Sequence, residues 1–183
     1  MSMLITFLIS ILIILLFLLI IGMFSRKDYG IERAITIQRP VNDVFQYVKF
    51  QKNQDRYNKW VMVDPAMAKA YHGSDGEVGF VYSWDGNSRA GAGEMEIASI
   101  EPGKRIEVDI RFIRPFKGAA QSLMETLPVS DSRNIHESTT VVWKFSSRLK
   151  YPMNIMLLFV NIEKKLANDL GKSLSNLKTI LED

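Results

Sequence analysis

The chain has 183 residues, no cysteine and a formal net charge of +3. Without cysteine it forms no disulfide and no thiolate-based zinc or iron–sulfur site, and it has no thiolate nucleophile. The basic residues are scattered among acidic ones and form no long run, which argues against nucleic-acid binding. Beyond an apolar N-terminal segment, the length is that of one domain with one hydrophobic core.

The first predicted element is a transmembrane helix within residues 1–25. Residues 3–24 (MLITFLISILIILLFLLIIGMF) are apolar apart from Thr6, Ser10 and Gly22. A helix of this length rises about 1.5 Å per residue and reaches roughly 33 Å, which crosses the core of a bilayer. A cleaved signal peptide is the alternative, but the apolar run exceeds the roughly 7–15 residues of a signal sequence and no basic residue precedes it.

The charges after this helix predict its orientation. Arg26 and Lys27 follow it directly. By the positive-inside rule they place the rest of the chain in the cytoplasm. We therefore expect a single-pass membrane protein, in the inner membrane if the chain is bacterial, with a hinge over residues 26–30 and a ligand-binding domain over residues 31–183.

The soluble part begins with one strand and two short helices. Ile31, Ile35 and Ile37 in GIERAITIQRP indicate the strand, and Pro40 suits the first turn of a helix over VNDVFQYV. A second short helix is predicted from Asn53 to Trp60.

A run of strands separated by turn sequences follows. The strand candidates are AKAYH, VGFVYSW, RAGAGEMEIASIE, IEVDIRFI, KGAAQSLMETL and IHESTTVVWKF, and the turns between them include GSDGE, DGNS, PGKR and VSDSRN. Asp-Gly and Pro-Gly pairs supply the backbone angles that a chain reversal needs. The pattern predicts an antiparallel meander of six strands.

A long amphipathic helix is predicted from near Pro152 to the end of the chain. Its apolar stripe consists of Ile162, Leu166, Leu170, Leu174, Leu177 and Leu181, whereas Glu163, Lys164, Lys165, Lys172 and Lys178 fill the other side. We expect Gly171 to allow close approach of this helix to the sheet. The elements together predict an α+β fold in which a curved antiparallel sheet wraps round the helix.

The same segments resemble a known superfamily. The resemblance is carried by IERAITIQRPVNDVFQYV, Lys59-Trp60, Asp64-Pro65, VGFVYSWDGN, GAGEMEI, RIEVDIRFIRPF, TTVVWKF and DLGKSLSNLKTILE, and it covers Ile31 to Glu182. The chain resembles the helix-grip superfamily of START-type lipid-transfer domains, Bet v 1-like proteins and aromatic polyketide cyclases (SRPBCC), especially its bacterial polyketide cyclase/dehydrase and lipid-transport branch. The resemblance implies a helix-grip fold, but no catalytic residue carries over with a matching motif.

Alternation along the strands predicts a ligand site on the face that meets the helix. The candidate ligand-binding residues are Trp60, Phe80, Tyr82, Trp84, Gly91, Gly93, Met95, Val108, Ile110, Phe112, Val141, Trp143, Leu166 and Leu170. The two glycines allow two interpretations. Either their missing side chains leave room for an apolar ligand, or they mark a bulge or bend of the curled sheet, or both apply together.

Few residues point to catalysis. Neither His72 nor His136 neighbours a serine or acid at the spacing of a triad, and no metal-binding or phosphate-binding motif is present. Glu94, Glu96 and Asp109 are predicted to face solvent, whereas the register of Glu125 is open. We predict no catalytic residue, no metal and no cofactor.

Three functions remain open. The favoured one is a membrane-tethered module that binds or transports an apolar small molecule such as a lipid, isoprenoid, quinone or polyketide-like compound. The alternatives are an enzyme of the cyclase/dehydrase type acting on a similar ligand, and a non-catalytic partner of another membrane protein. An inward acid or histidine with a strongly shifted pKa and a hydrogen-bond partner favours the enzyme, and a cavity lined only by apolar and aromatic groups favours the binding module. A fully packed interior favours the partner protein.

Overall fold

The computed structural model of the chain describes residues 2–129 and 137–183. His136 and most of the predicted VSDSRN turn lie outside the described residues. The predicted α+β architecture is confirmed: a curved, seven-stranded antiparallel sheet holds one long C-terminal helix, and an apolar helix precedes them.

The N-terminal helix, α1 (Ser2–Phe24), has the predicted extent. An 18-residue window within Met3–Phe24 has a mean hydropathy of 3.5, and none of that window is buried inside the protein. Leucine, isoleucine and phenylalanine project on all sides, so α1 has no polar face to turn toward water. By length and composition it is able to cross a membrane.

The sheet contains every predicted strand. The strands are β1 (Asp28–Ile37), β2 (Ala68–His72), β3 (Val81–Asp85), β4 (Ala92–Glu101), β5 (Arg105–Arg114), β6 (Gly118–Val129) and β7 (Ser138–Arg148). Their order in the sheet is β1-β7-β6-β5-β4-β3-β2, with all neighbours antiparallel. The last six strands form the predicted meander, and β1 pairs with the final strand.

The helices differ from the prediction in extent. They are α2 (Val41–Val48), α3 (Gln54–Tyr57), α4 (Met156–Phe159) and α5 (Ile162–Glu182), and short 3-10 turns over Gln51–Asn53 and Met153–Ile155 precede α3 and α4. The second short helix therefore ends at Tyr57, before the predicted Trp60.

The prediction of one continuous helix from Pro152 is wrong. Val160 has an extended backbone, with φ −116° and ψ 123°, which separates α4 from α5. The Asn161 side chain then accepts a hydrogen bond of 2.9 Å from the Lys164 N–H and caps the start of α5.

The core lies between α5 and the concave face of the sheet. Leu170, Leu174 and Leu177 on α5 are at most 1% exposed and pack with strand residues such as Ile97 and Val141. Each such leucine contributes about 1.5–3 kcal/mol of burial free energy to folding. This stripe is the one that the spacing of apolar residues predicts.

Gly171 does not have the predicted role. A Cβ atom added there meets no atom within 4 Å, so the helix does not approach the sheet closely at this position. The glycine leaves open space on the surface of α5.

Acidic residues lie on the outer face of the sheet. Glu94 and Glu96 both bind the Arg111 guanidinium, at 2.5 and 2.8 Å, which confirms their outward orientation. Glu125, whose register the sequence leaves open, pairs with Lys144 at 2.8 Å on the same outer face. These carboxylates are therefore outside the sheet–helix interior.

Candidate ligand cavity

A cavity of about 700 Å³ lies between the concave face of the sheet, the α3 region and the first turns of α5. Its volume falls within the roughly 300–1,000 Å³ range of small-molecule sites. The lining residues are Gln54, Asn58, Lys59, Trp60, Val61, Val63, Met67, Tyr82, Trp84, Arg89, Ala90, Met95, Val108, Ile110, Phe112, Ser122, Trp143, Phe145, Lys165, Leu166 and Asp169. The interior is therefore not completely filled by side chains.

Most of the predicted site residues line this cavity. They are Trp60, Tyr82, Trp84, Met95, Val108, Ile110, Phe112, Trp143 and Leu166. Phe80, Val141 and Leu170 do not line it and pack in the core. Alternation along the strands predicts which side chains face inward. It does not distinguish side chains that line a cavity from those that pack in the core.

Gly93 does not leave space for a ligand. It pairs with Trp84 across the neighbouring strand, and a Cβ atom added at Gly93 would come within 2.7 Å of two carbon atoms of the indole ring. The same Cβ would come within 2.5 Å of the Arg111 carbonyl oxygen. The indole thus occupies the place of the missing side chain and becomes the cavity wall itself.

Gly91 has a purely structural role. Its φ of +67° lies in the left-handed region, and its N–H donates to the Asn87 carbonyl in the turn before β4. An added Cβ would collide with the Arg114 carbonyl oxygen. A register shift between Ala92 and Gly93 agrees with the interpretation of these glycines as marking a bulge, and neither glycine leaves open space beside it.

The indole N–H groups of all three tryptophans have acceptors within the protein. Trp143 donates to the Ser122 hydroxyl at 2.7 Å, Trp84 to the Ala90 carbonyl at 3.2 Å, and Trp60 to a carboxylate oxygen of Asp169 at 3.4 Å. Because these donors are already paired, the indoles offer the cavity mainly apolar ring surface.

Tyr82 contributes a protonated phenol to the wall. Burial raises its pKa well above the ordinary value, and its hydrogen bond to Asp55, 2.9 Å long, raises the pKa further. Asp55 itself pairs with Lys69 at 2.7 Å. At neutral pH the Tyr82 hydroxyl is therefore a donor that is already engaged.

Sequence reasoning missed a polar group beside the cavity. The Asn58 amide donates to Gln54 at 2.6 Å, and the Gln54 amide donates to Gln51 at 2.5 Å and contacts the Met95 sulfur at 3.8 Å. All three amide side chains are at most 7% exposed. Polar residues on a short helix are predicted to be exposed to solvent. No sequence signal indicates that this helix covers the end of a cavity.

A second missed group lies at the rim. The Lys59 ammonium donates to Asp169 at 2.5 Å, so two residues 110 positions apart meet above the cavity. Arg89 and Lys165 also line the rim, and neither has an ion-pair partner among the residues that the structure describes. The rim therefore carries an excess of positive charge.

A second depression, of about 780 Å³, lies mainly on the outer side of the sheet near the start of β1. Charged side chains such as Asp109, Arg111 and Arg148 line it. Because ligand sites are concave and mostly apolar, we assign the candidate site to the inner cavity. Within residues 2–129 and 137–183, no group of three or more histidine, aspartate or glutamate residues is arranged to hold a metal ion.

No family model matches the chain, and no curated protein matches its sequence. Solved structures do match its fold. Truncated norcoclaurine synthase from Thalictrum flavum aligns with a TM-score of 0.61 and 10% identity over 87% of this chain and 97% of that one. The same enzyme in complex with dopamine and hydroxybenzaldehyde aligns with a TM-score of 0.61 and 11% identity over 89% and 92%.

A further solved structure also matches the fold. The Aha1 dimer from Colwellia psychrerythraea aligns with a TM-score of 0.55 and 13% identity over 84% of this chain and 96% of that one. At these identities the likeness concerns the fold alone. The chain has the Bet v 1-like helix-grip fold, with an additional apolar helix at its N-terminus.

Proposed function

We propose that this helix-grip chain binds an apolar small molecule in the cavity between its sheet and α5, next to a membrane in which α1 is anchored. The observation that carries the proposal is the cavity of about 700 Å³, with a wall of aromatic and aliphatic side chains whose indole N–H groups are already paired. Such a wall gains free energy by removing apolar surface from water, about 25 cal/mol per Å².

The rim favours a ligand with an anionic or strongly accepting end. Arg89 and Lys165 lie at the rim without ion-pair partners in the described part of the chain, whereas Lys59 is neutralised by Asp169. A fatty-acid-like or polyketide-like molecule would place its apolar body on the aromatic wall and its polar end near these cations.

The apolar helix supports a membrane location for this binding. Apolar ligands partition into bilayers, and α1 is long enough to remain there. We retain the orientation with the soluble domain in the cytoplasm, on the basis of Arg26 and Lys27. We retain the division into residues 1–25, 26–30 and 31–183, but residues 28–30 already pair with β7. Residues 25–27 alone therefore connect α1 to the sheet and keep the domain close to the bilayer.

The proposal is tested by analysing what co-purifies with the full chain. Polymer discs that retain native lipid avoid the detergent that would displace an apolar ligand. Mass spectrometry of the extract is expected to show one apolar compound near one-to-one with protein, above the background lipids of empty discs. An extract identical to that background, together with no binding of a panel of fatty acids and quinones, would contradict the proposal.

The rim cations give a specific prediction. Replacing Arg89 and Lys165 together by glutamine is expected to weaken binding of an anionic apolar probe by three- to tenfold, because exposed charge pairs contribute about 0.2–1 kcal/mol each. Binding of a neutral probe of the same length should change little. The matched control is Lys172→Gln, on the exposed side of α5. Equal losses for both probes would exclude an electrostatic role of the rim.

One observation favours the enzyme as a second candidate function. Among the described residues, Asp169 is the one carboxylate on the cavity wall, and it accepts hydrogen bonds from Lys59 and Trp60. A carboxylate in this position is able to exchange a proton with a bound molecule. If the chain is a cyclase/dehydrase-type enzyme, Asp169→Asn should abolish turnover of the identified ligand and leave its binding intact.

The open cavity argues against the third alternative, a partner protein with a packed interior.

A further inference from the structure

Residues 151–160 (YPMNIMLLFV), between β7 and α5, expose an unusual amount of apolar surface. Tyr151, Met156, Leu158, Phe159 and Val160 are all more than 40% exposed, and Phe159 reaches 70%. Leu157 and Asn154 point the other way and are buried, so the segment has a buried side and an apolar exposed side. Contiguous exposed apolar surface marks a contact site on a soluble domain.

The buried side of this segment fastens it to the end of α1. The Asn154 amide, which is fully buried, donates to the Gly22 carbonyl at 2.7 Å and to the Ser25 carbonyl at 3.4 Å. Gly22 is required for this approach, because a Cβ atom there would lie 2.5 Å from a side-chain carbon of Ile155. The Arg26 guanidinium binds both carboxylate oxygens of Glu163, at 3.0 and 3.2 Å.

These contacts make the apolar surface continuous with α1. Met23 and Phe24, in the last turn of α1, are 58% and 86% exposed. The segment therefore lies at the level where the apolar helix ends, which for a membrane-spanning helix is the boundary between acyl chains and headgroups.

Unpaired cations surround the same region. Lys27, Lys150, Lys164 and Lys165 have no ion-pair partner in the part of the chain that the structure describes. Lysines that flank an exposed apolar face are typical of interfacial segments, because they bind anionic headgroups while apolar side chains enter the acyl boundary.

The cavity lies at this end of the domain. The end of the sheet near α1 contains the start of β1 and β4 and the end of β3, β5 and β7. Trp84, Phe112 and Phe145 line the cavity from those strand ends, and Lys165 and Leu166 line it from the first turns of α5, directly after the segment.

We infer that residues 151–160 form an interfacial membrane contact that lies in an anionic bilayer surface beside α1 and holds the rim of the cavity against that surface. The inference rests on the membrane anchoring proposed above. With the rim held against the bilayer surface, an apolar molecule passes between bilayer and cavity without crossing water.

The experiment uses the full chain in nanodiscs of phosphatidylcholine and phosphatidylglycerol. Because the chain has no cysteine, single labels with the environment-sensitive dye NBD can be placed by Phe159→Cys, Val78→Cys and Leu12→Cys. Val78 is the matched control. It is an apolar residue 62% exposed, in the turn between β2 and β3 at the opposite end of the sheet. Leu12, in the middle of α1, reports whether the helix itself is in the bilayer.

We expect emission of the label at Phe159 to be blue-shifted and quenched about twofold or more by lipids with a doxyl group near the headgroup, since interfacial segments enter roughly 5–10 Å. The label at Val78 should show neither effect. A label at Phe159 that reports water while that at Leu12 reports the bilayer would overturn this inference and leave the anchor intact. A label at Leu12 in water would overturn both. Equal quenching at Phe159 and Val78 would overturn the specific orientation.

Discussion

Replacing Leu166 by tryptophan is expected to weaken binding of the apolar dye N-phenyl-1-naphthylamine to the full chain by about tenfold or more, a loss of about 1.4 kcal/mol. Leu166 lines the cavity from the first turns of α5 and is only partly buried. The larger ring can therefore extend into the cavity without displacing core residues, and it occupies the volume that a ligand needs. Titration of dye fluorescence, corrected for partition into empty discs, measures the change.

The matched control for this variant is Lys172→Trp. It adds the same ring to the same helix at an exposed position. A second blocking variant, Ile110→Trp, approaches the cavity from the opposite wall and should give a similar loss. Unchanged affinity in both blocking variants would show that the dye binds elsewhere, and it would contradict the cavity as the ligand-binding site.

The same substitution, glycine to alanine, is expected to have opposite effects at two positions. Gly93→Ala should lower the free energy of unfolding by about 1–3 kcal/mol, the usual cost of overpacking. The added methyl group meets the Trp84 ring at 2.7 Å and the Arg111 carbonyl oxygen at 2.5 Å, so either the indole or the strand has to move.

Gly171→Ala serves as the control. Its added methyl group meets no atom within 4 Å, and alanine is favoured over glycine inside a helix. It should therefore raise the free energy of unfolding by up to about 1 kcal/mol. Urea unfolding followed by circular dichroism measures both. An unchanged free energy of unfolding in Gly93→Ala would show that the Trp84 ring is able to move away from residue 93. It would refute the assignment of this ring as a fixed wall of the cavity.

The sheet could be predicted because its signals are local. Turn sequences such as DGNS and PGKR separate the strands, and alternation within each strand fixes the inward face. The break between α4 and α5 could not be predicted in the same way. Methionine and leucine make up most of residues 153–158 and favour a helix. It is the contact of Asn154 with Gly22, 132 residues away, that holds this part of the chain against α1.

The cavity wall was predicted more fully than its rim. Met95 and Trp143 follow directly from alternation, but the role of Gly93 depends on which neighbour covers it, and sequence does not show that the Trp84 ring does so. The pair of Lys59 and Asp169 joins a loop to a helix across 110 residues. Each of these charges alone resembles an ordinary surface residue.

The most direct test of the cavity uses the intrinsic fluorescence of the protein. The chain has three tryptophans, Trp60, Trp84 and Trp143, and all of them line the cavity. We expect a brominated fatty acid bound there to contact these indoles. Titrated into the full chain in nanodiscs, it should therefore quench most of the tryptophan emission with saturation near one equivalent, and the unbrominated acid should restore it. Quenching that rises linearly without saturation, or that the unbrominated acid does not reverse, would contradict a ligand in this cavity.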